Sequence, residues 1–280
     1  MSRFMKIMPV IGVCLLLSSW AAAADDLAEA DRLFAQGGLA NLQQSIALTL
    51  KAVEQNPGSF GANWKCARAH REYANQAKRQ DVADWKKTCA EHGKTGMQYA
   101  QKAIDLQPNK PDGYYYYGVN VGIYSDGVSI VTALAEGLKD KTQSSFEKAY
   151  AIDKTYKQGG PMLSLGRFWS VLPWPLRDRQ KGLDYFREYQ KAGYFDGNIE
   201  AHLFLSELLI QMGGDDNKAE AKGYLEKAAH SPDTYFKNWA ARLLAEIGKE
   251  CRTAAKKSRE WDNGGKSQLI NFFAFIRRIT

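Results

Sequence analysis

The chain has 280 residues, of which 45% are hydrophobic and 25% are charged, and its formal net charge is +7. This composition is ordinary for a soluble globular protein, and the length fits one elongated domain or one to two compact domains. The positive surplus is mild and comes with no arginine-rich tract or nucleic-acid motif, which argues against a nucleic-acid partner.

The first 24 residues have the pattern of a secretory signal peptide. Arg3 and Lys6 supply a positive start, an uncharged run covers residues 7–20, and Ala22 and Ala24 supply the small pair at the cleavage site. The uncharged run has about 14 residues, whereas a membrane-spanning helix needs roughly 20. We therefore expect a periplasmic protein that is cleaved after Ala24, or one residue earlier, and has no transmembrane span in the mature chain.

Beyond residue 25 the sequence reads as helix nearly throughout, because apolar residues recur at spacings of three and four. Four segments align without gaps, and each places an alanine, preceded by a lysine, at its eighth position. This pattern resembles the second helix of a tetratricopeptide (TPR) repeat, in which a small residue lets two helices approach closely. The segments are 45–57, 96–108, 142–154 and 221–233, and their alanines are Ala52, Ala103, Ala149 and Ala228.

The segments that precede these helices fit the first helix of a TPR pair. In two of them a glycine, Gly118 or Gly166, stands where the facing helix should cross closest. We predict an all-α, TPR-like helical-hairpin solenoid with long, irregular helix pairs over residues 25–262. Residues 263–280 are an apolar C-terminal segment that either caps the solenoid or meets a partner subunit or a membrane surface. The predicted pairs are 26–57, 58–108, 111–157, 159–193 and 197–231, with a capping segment from residue 232 onward.

Four consecutive tyrosines occur in the third pair. Successive helical residues turn by about 100°, so the four side chains cannot share one face. In the TPR register, Tyr114 and Tyr117 fall at core positions, and Tyr116 is expected to be partly exposed. Tyr115 falls at a position that faces the concave groove of a TPR stack, which makes it a candidate ligand contact.

The same register predicts the residues that line a groove for a partner peptide or protein segment. Arg167 is the strongest candidate, because an arginine fork suits a carboxylate. An ion pair between Arg167 and Glu207, or with a neighbouring helix, is the alternative. The groove residues are Lys65, Tyr115, Val119, Arg167, Ser170 and Glu207.

Cys66 and Cys89 are candidates for a disulfide. If the chain turns near residues 78–81, antiparallel helices place the two cysteines within about one to two helical turns of each other. An oxidising compartment permits the bond. We therefore predict a disulfide between Cys66 and Cys89, with Cys251 free.

The segment GGPMLSLGRFWSVLPWP, residues 159–175, resembles the tetratricopeptide-like T component associated with TRAP transporters. That resemblance implies a non-catalytic periplasmic protein that binds the solute-binding component of the transporter and can form a homotrimer. A general envelope-assembly scaffold is the alternative binding function. The matching residues are Gly159, Gly160, Pro161, Leu165, Gly166 and Pro173.

No catalytic or metal-binding motif is present in the sequence. The four histidines form no metal pair, and no phosphate-binding or nucleophile motif occurs, so we expect neither a cofactor nor a metal. The remaining alternative is an all-α enzyme such as a polysaccharide lyase, for which Asn120, Tyr124 and Arg167 would have to meet in one cleft.

Overall fold

The computed structural model describes residues 24–249, and no strand occurs among these residues. No helix within this range is both long enough and apolar enough to span a bilayer. The chain divides into two compact units, one ending at Tyr194 and the other beginning at Phe195. The all-α prediction is confirmed, whereas most of the predicted signal peptide and all of the apolar C-terminal segment lie outside the described residues.

The first unit contains nine helices among the described residues, and the second contains three. Those of the first are α1 (24–36), α2 (Leu39–Gln55), α3 (Phe60–Arg79), α4 (Trp85–Leu106), α5 (Pro111–Val128), α6 (Ile130–Ala135), α7 (Leu138–Ile152), α8 (Tyr156–Val171) and α9 (Arg179–Lys191). Those of the second are α10 (Ile199–Met212), α11 (Asp215–Ala229) and α12 (234–249).

Each of the five predicted pairs contains two successive helices, and the third pair carries the short helix α6 between them. Local chemistry sets several of the helix starts. The side chains of Ser59, Asp178 and Asn198 accept backbone hydrogen bonds at the starts of α3, α9 and α10. Pro111 occupies the first turn of α5, where it sacrifices no helical hydrogen bond.

Small residues allow the close packing of the helices in the first unit. A Cβ added to Gly93 on α4 would lie 2.6 Å from the backbone nitrogen of Tyr124 on α5. A Cβ at Gly118 would lie 2.3 Å from the ring of Phe146, and one at Gly166 would lie 2.8 Å from the ring of Phe186. The expected close crossings at Gly118 and Gly166 are therefore confirmed. The four repeat alanines, Ala52, Ala103, Ala149 and Ala228, are all at most 1% exposed.

Two apolar clusters form much of the core of the first unit. One surrounds Tyr116, Tyr117 and Val121 on α5, and the other surrounds Phe146 and Leu165. In the second unit, leucines of α10 and α11 are fully buried, and the Ser206 hydroxyl donates to the carbonyl of Ala221 at 3.2 Å.

The tyrosine run packs differently from the expectation at two of its positions. Tyr117 is buried as predicted, but Tyr116, expected to be partly exposed, is 5% exposed. Its ring stacks on Trp64 of α3 at a centroid distance of 5.7 Å. Tyr114 is half-buried rather than part of the core, and its hydroxyl donates to the carbonyl of Pro108.

The predicted disulfide between Cys66 and Cys89 is wrong, because both residues are free, buried thiols. Cys89 donates to the carbonyl of Ala74 at 3.5 Å, so it lies opposite a residue eight positions beyond Cys66. Eight helical residues span about 12 Å, whereas the Cα atoms of a disulfide lie within about 7 Å. The turn lies between Arg79 and Trp85, later than expected, which moves Cys89 away from Cys66.

Replacement of Gly93 by alanine should destabilise the packing of α4 on α5. The added methyl group meets the backbone of Tyr124, which cannot move aside without shifting α5. We expect the free energy of unfolding to fall by about 1–3 kcal/mol, measured by urea denaturation followed by circular dichroism.

Gly122→Ala is the matched control, because Gly122 lies within α5 and an added Cβ meets nothing within 4 Å. Alanine is the better helix former, so this variant should gain about 0.5–1 kcal/mol. Equal effects of the two substitutions would contradict the close approach of α4 and α5 at Gly93.

The two buried cysteines should resist thiol reagents in the folded protein. Burial raises the pKa of Cys66 to about 12 and that of Cys89 to about 11, so few thiolates are present at pH 8. We expect peptide mapping after iodoacetamide treatment to find both residues unmodified in buffer and alkylated in urea. Rapid alkylation of either residue in buffer would show that its thiol is accessible.

Candidate functional site

The predicted groove residue Lys65 lies in a charged environment on α3. Its ammonium group is 2.6 Å from Asp31 of α1, and the same carboxylate accepts a hydrogen bond from Arg68. The side chain of Asp31 remains 40% exposed, whereas that of Arg68 is 9% exposed. Lys65 is thus half-buried, next to solvent, and paired with a carboxylate of its own chain.

Tyr115 and Val119 contribute to packing. A Cβ added to Gly160 would lie 2.8 Å from the Tyr115 ring, so this ring covers the start of α8. Val119 is partly buried and contacts both apolar clusters of the first unit. Each side chain is half-buried, so packing takes much of the surface that the groove prediction assigned to a ligand.

Ser170 is not a groove residue. It is 3% exposed, and its hydroxyl donates to the carbonyl of Arg167 on the same helix. Arg167 and Glu207 are half-buried and belong to different units of the chain. The role of these two residues in partner binding remains a prediction.

The residues that carry the TRAP resemblance have packing roles in the structure. Gly159 has a left-handed backbone, with φ of 77°, while Gly160 and Gly166 admit the rings of Tyr115 and Phe186. Leu165 is fully buried and Pro161 is buried, and the carbonyl of Pro173 accepts a hydrogen bond from the backbone N–H of Leu176 in a turn.

Two of the residues considered for a lyase-like cleft, Asn120 and Tyr124, use their side-chain polar groups in hydrogen bonds within the protein. The Asn120 amide is fully buried and donates to the carbonyls of Ala67 and Tyr116. The Tyr124 hydroxyl donates to Glu136 at 2.8 Å. The contacts to Ala67 and Glu136 join α5 to other parts of the first unit.

A charged and aromatic cluster includes the predicted groove residue Lys65. We call Trp64, Lys65, Arg68, Lys157 and Asp31 the Trp64 cluster. The charged groups of its three cations lie 5.1 to 5.9 Å from the centre of the Trp64 ring. Such distances permit attraction between a cation and the face of the ring.

Lys157 reaches the Trp64 cluster from an unusual backbone conformation. Lys157 and Gln158 have φ angles of 50° and 56°, and both are left-handed although neither is glycine. Each such residue costs of order 1–3 kcal/mol, and such strain is concentrated at ligand and switch sites. The interruption lies at the start of α8 and positions Lys157 beside residues almost a hundred positions earlier in the chain.

Three tyrosines and a second carboxylate border the Trp64 cluster. Tyr115 makes edge-to-face contacts with both Tyr116 and Tyr156. The Tyr156 hydroxyl donates to Asp112 at 2.7 Å, so this carboxylate is held by a phenol. Burial and the Asp112 carboxylate raise the pKa of Tyr156, which keeps the phenol protonated.

The charges within the Trp64 cluster affect one another. Burial raises the pKa of Asp31, but hydrogen bonds from Lys65 and Arg68 outweigh it, and the net pKa is lowered. Burial, followed by repulsion from Arg68, lowers the pKa of Lys157. Within the described residues Lys157 makes no hydrogen bond or ion pair, and its ammonium group contacts the rings of Trp64 and Tyr156.

A histidine pair joins α3 to α4. The Nδ1 atoms of His70 and His92 lie 3.0 Å apart, so one ring donates and the other accepts. Tyr99 stacks on His70, and Tyr73 stacks on His92. Burial, followed by the neighbouring His92, lowers the pKa of His70 to about 3, and burial also lowers the pKa of His92.

The sequence predicted one residue of the Trp64 cluster, Lys65, as a site residue, but it did not predict how the cluster is assembled. The basic residues Lys65, Arg68 and Arg71 recur every three positions, which is the signal of a shared helical face. Nothing in the sequence indicates that Lys157 joins them, because a left-handed backbone is unusual for lysine and glutamine.

Residues 26–168 match the family described as Regulator of microtubule dynamics protein 1-3. This match spans more than half of the chain. The chain belongs to this family, abbreviated RMD1-3. All residues of the Trp64 cluster lie inside the stretch that matches RMD1-3.

Solved structures place the RMD1-3 chain among proteins with a TPR fold. It is similar to TTC0263, a thermophilic TPR protein of Thermus thermophilus, with 18% identity and a TM-score of 0.57 over 80% of this chain and 100% of that one. YrrB, another TPR protein, matches at 13% identity and a TM-score of 0.46, over 82% of this chain and 97% of that one. No curated protein matches the sequence. The similarity to TTC0263 confirms the TPR-like fold predicted from the sequence.

The buried histidine pair should make the stability of the first unit sensitive to acid. His70 stays neutral in the folded chain down to about pH 3, whereas an unfolded histidine binds a proton near pH 6.5. Stability is therefore fully present above about pH 6.5 and is lost as the pH falls toward 3, by about 1.4 kcal/mol per pH unit for one histidine. His70→Asn keeps a group that can bond to His92 but does not titrate, so it should flatten this slope.

Thermal denaturation from pH 7.5 to pH 4.5 measures the slope for each variant. His230→Asn is the control, because His230 is exposed on the second unit. If the His70→Asn and His230→Asn proteins lose stability equally on acidification, His70 is not the acid-sensitive group.

Proposed function

We infer that this RMD1-3 protein is a non-catalytic TPR-like scaffold that binds a partner protein through the face of α3. The observation that carries this inference is the Trp64 cluster, where the predicted groove residue Lys65 and other charged groups meet solvent beside an aromatic ring. The TPR-like fold supports it, because stacked helix pairs offer extended surfaces to other chains. Structural hydrogen bonds at Asn120 and Tyr124 weigh against the lyase alternative.

The partner proposed here is the solute-binding component of a TRAP-type transporter, with general envelope assembly as the alternative. The support is the resemblance carried by residues 159–175, together with the predicted export signal at residues 1–24. A periplasmic location, cleavage near Ala24 and a homotrimer belong to the same proposal.

The family match favours a second candidate partner. The description of RMD1-3 names the regulation of microtubule dynamics, so tubulin is tested beside the periplasmic candidates. Co-sedimentation of the purified full chain with microtubules assembled from purified tubulin separates the two candidates. Saturable binding to microtubules would favour tubulin over a transporter component.

Replacement of Lys65 by alanine should weaken partner capture. The tagged full chain is recovered from a periplasmic extract of its host, and co-eluting proteins are identified by mass spectrometry. We expect a stoichiometric solute-binding protein with the unmodified chain and at least a several-fold loss with Lys65→Ala. The reason is that the variant removes an ammonium group from the proposed contact face.

Lys87→Ala is the control, because the Lys87 side chain is 74% exposed on α4 and its carboxylate neighbour Glu91 is 3.9 Å away. Circular dichroism checks that both variants are folded. Equal recovery of the partner with Lys65→Ala and Lys87→Ala would show that the face of α3 is not the contact face. If the co-eluting proteins are outer-membrane assembly factors, the envelope-assembly alternative is favoured.

A further inference from the structure

The charges of the Trp64 cluster do not balance. Three cations, Lys65, Arg68 and Lys157, surround the Trp64 ring, and the neighbouring carboxylates are Asp31 and Asp112. Asp31 is bound by Lys65 and Arg68, and Asp112 accepts from the Tyr156 hydroxyl. One positive charge, that of Lys157, is left over.

Lys157 is exposed, and its charge has no ion-pair partner among the described residues. Within the described residues its ammonium group contacts aromatic rings, at 5.9 Å from the centres of Trp64 and Tyr156, and no carboxylate pairs with it. Burial and repulsion from Arg68 lower the pKa of Lys157, although attraction to Asp112 and Asp31 acts in the opposite direction. Two left-handed residues, Lys157 itself and Gln158, hold it there. An incoming carboxylate would offset this repulsion, because it brings an opposite charge to an accessible lysine.

Asp31 shows how the cluster binds a carboxylate. A lysine and an arginine on one helical face each donate to a different oxygen of Asp31, Lys65 to Oδ2 at 2.6 Å and Arg68 to Oδ1. The Asp31 side chain is 40% exposed, so a second carboxylate can approach beside it. Trp64 and Phe34 supply half-buried apolar surface next to these charges, and the Arg68 guanidinium lies 4.0 Å from the centre of the Phe34 ring.

We propose that the Trp64 cluster is a binding site for an acidic peptide segment, in which one aspartate or glutamate side chain bonds to Lys157 and Lys65 while an adjacent apolar residue packs on Trp64. This site rests on the proposed function and names the chemistry of the partner segment. A single carboxylate matches the one surplus charge, whereas a phosphate monoester carries nearly two charges.

Fluorescence anisotropy with two labelled peptides tests the site on the full chain. One peptide alternates glutamate with leucine and phenylalanine, and the other has glutamine in place of each glutamate. We expect the glutamate peptide to bind at least fivefold more tightly than the glutamine peptide at low salt, with the difference shrinking in 0.5 M salt. Equal affinities for the two peptides would overturn the proposal.

Two substitutions should change the affinity in opposite directions. Lys157→Met keeps the aliphatic chain and removes the surplus charge, so the preference for the glutamate peptide should fall at least fivefold. Asp31→Asn removes the internal competitor for Lys65 and Arg68, so affinity for the same peptide should rise about threefold or more. A purely structural role of the cluster predicts weaker binding in both variants, and that result would contradict the site.

Lys181→Met is the matched control. Lys181 lies 4.0 Å from the centre of the Trp169 ring, but a carboxylate, Glu147, stands 3.8 Å from its ammonium group. Loss of this lysine should leave peptide binding unchanged. A loss as large as that of Lys157→Met would show that the general charge of the protein, rather than the Trp64 cluster, attracts the peptide.

Two further measurements, binding to lipid vesicles and capture of the partner from extract, distinguish the peptide site from a membrane surface and from the scaffold function. Lys157-dependent binding to phosphatidylserine vesicles, without a preference between the two peptides, would identify a membrane surface as the ligand and overturn the peptide site. If Lys157→Met still captures the partner from extract and the peptides bind equally, the scaffold function stands and this site fails. If no partner is captured but the glutamate preference depends on Lys157, the site stands without the proposed transporter partner.

Discussion

The close approach of neighbouring helices is the constraint on which the rest of the first unit depends. Backbone and side-chain atoms of α5 occupy the space that Cβ atoms at Gly93 and Gly96 of α4 would fill, and Phe146 of α7 occupies the space beside Gly118. Packing at this distance leaves little freedom for α5 to shift or rotate, because protein interiors are close-packed. The direction in which each tyrosine of α5 points is therefore set by the glycines and not by the tyrosines themselves.

That constraint also explains the position of the Trp64 cluster. Tyr116 is held against Trp64 by the packing of α5, and Tyr115 is held against Gly160 at the start of α8. The start of α8 must accommodate the Tyr115 ring, and the left-handed residues Lys157 and Gln158 immediately precede this contact. Aromatic packing and backbone strain thus act together to bring a lysine of α8 to the charged face of α3.

The sequence predicted those features that follow from repetition. The alanines and glycines recur at matching places within the helix pairs, although the pairs are longer than in a strict TPR array, so the five pairs and their crossings at Gly118 and Gly166 could be derived from the sequence. The burial of Tyr116 was missed because a degenerate repeat register is uncertain by one residue, which is about 100° of rotation. The disulfide was wrong because a turn displaced by a few residues changes every pairing across two antiparallel helices. The position of Lys157 has no periodic signal, since it depends on a non-repeating backbone conformation.

Comparison with other lysines of the first unit identifies what distinguishes Lys157. Lys181 lies over Trp169 with Glu147 near it, and Lys154 bonds to Glu188, which also accepts from Tyr150. In both places the chain supplies its own carboxylate, and the charge is satisfied internally.

At Lys157 the available carboxylates, Asp31 and Asp112, are already bound to other groups. Strain in the backbone and repulsion from two neighbouring cations both disfavour this lysine. Its presence is accounted for if the missing carboxylate comes from another molecule.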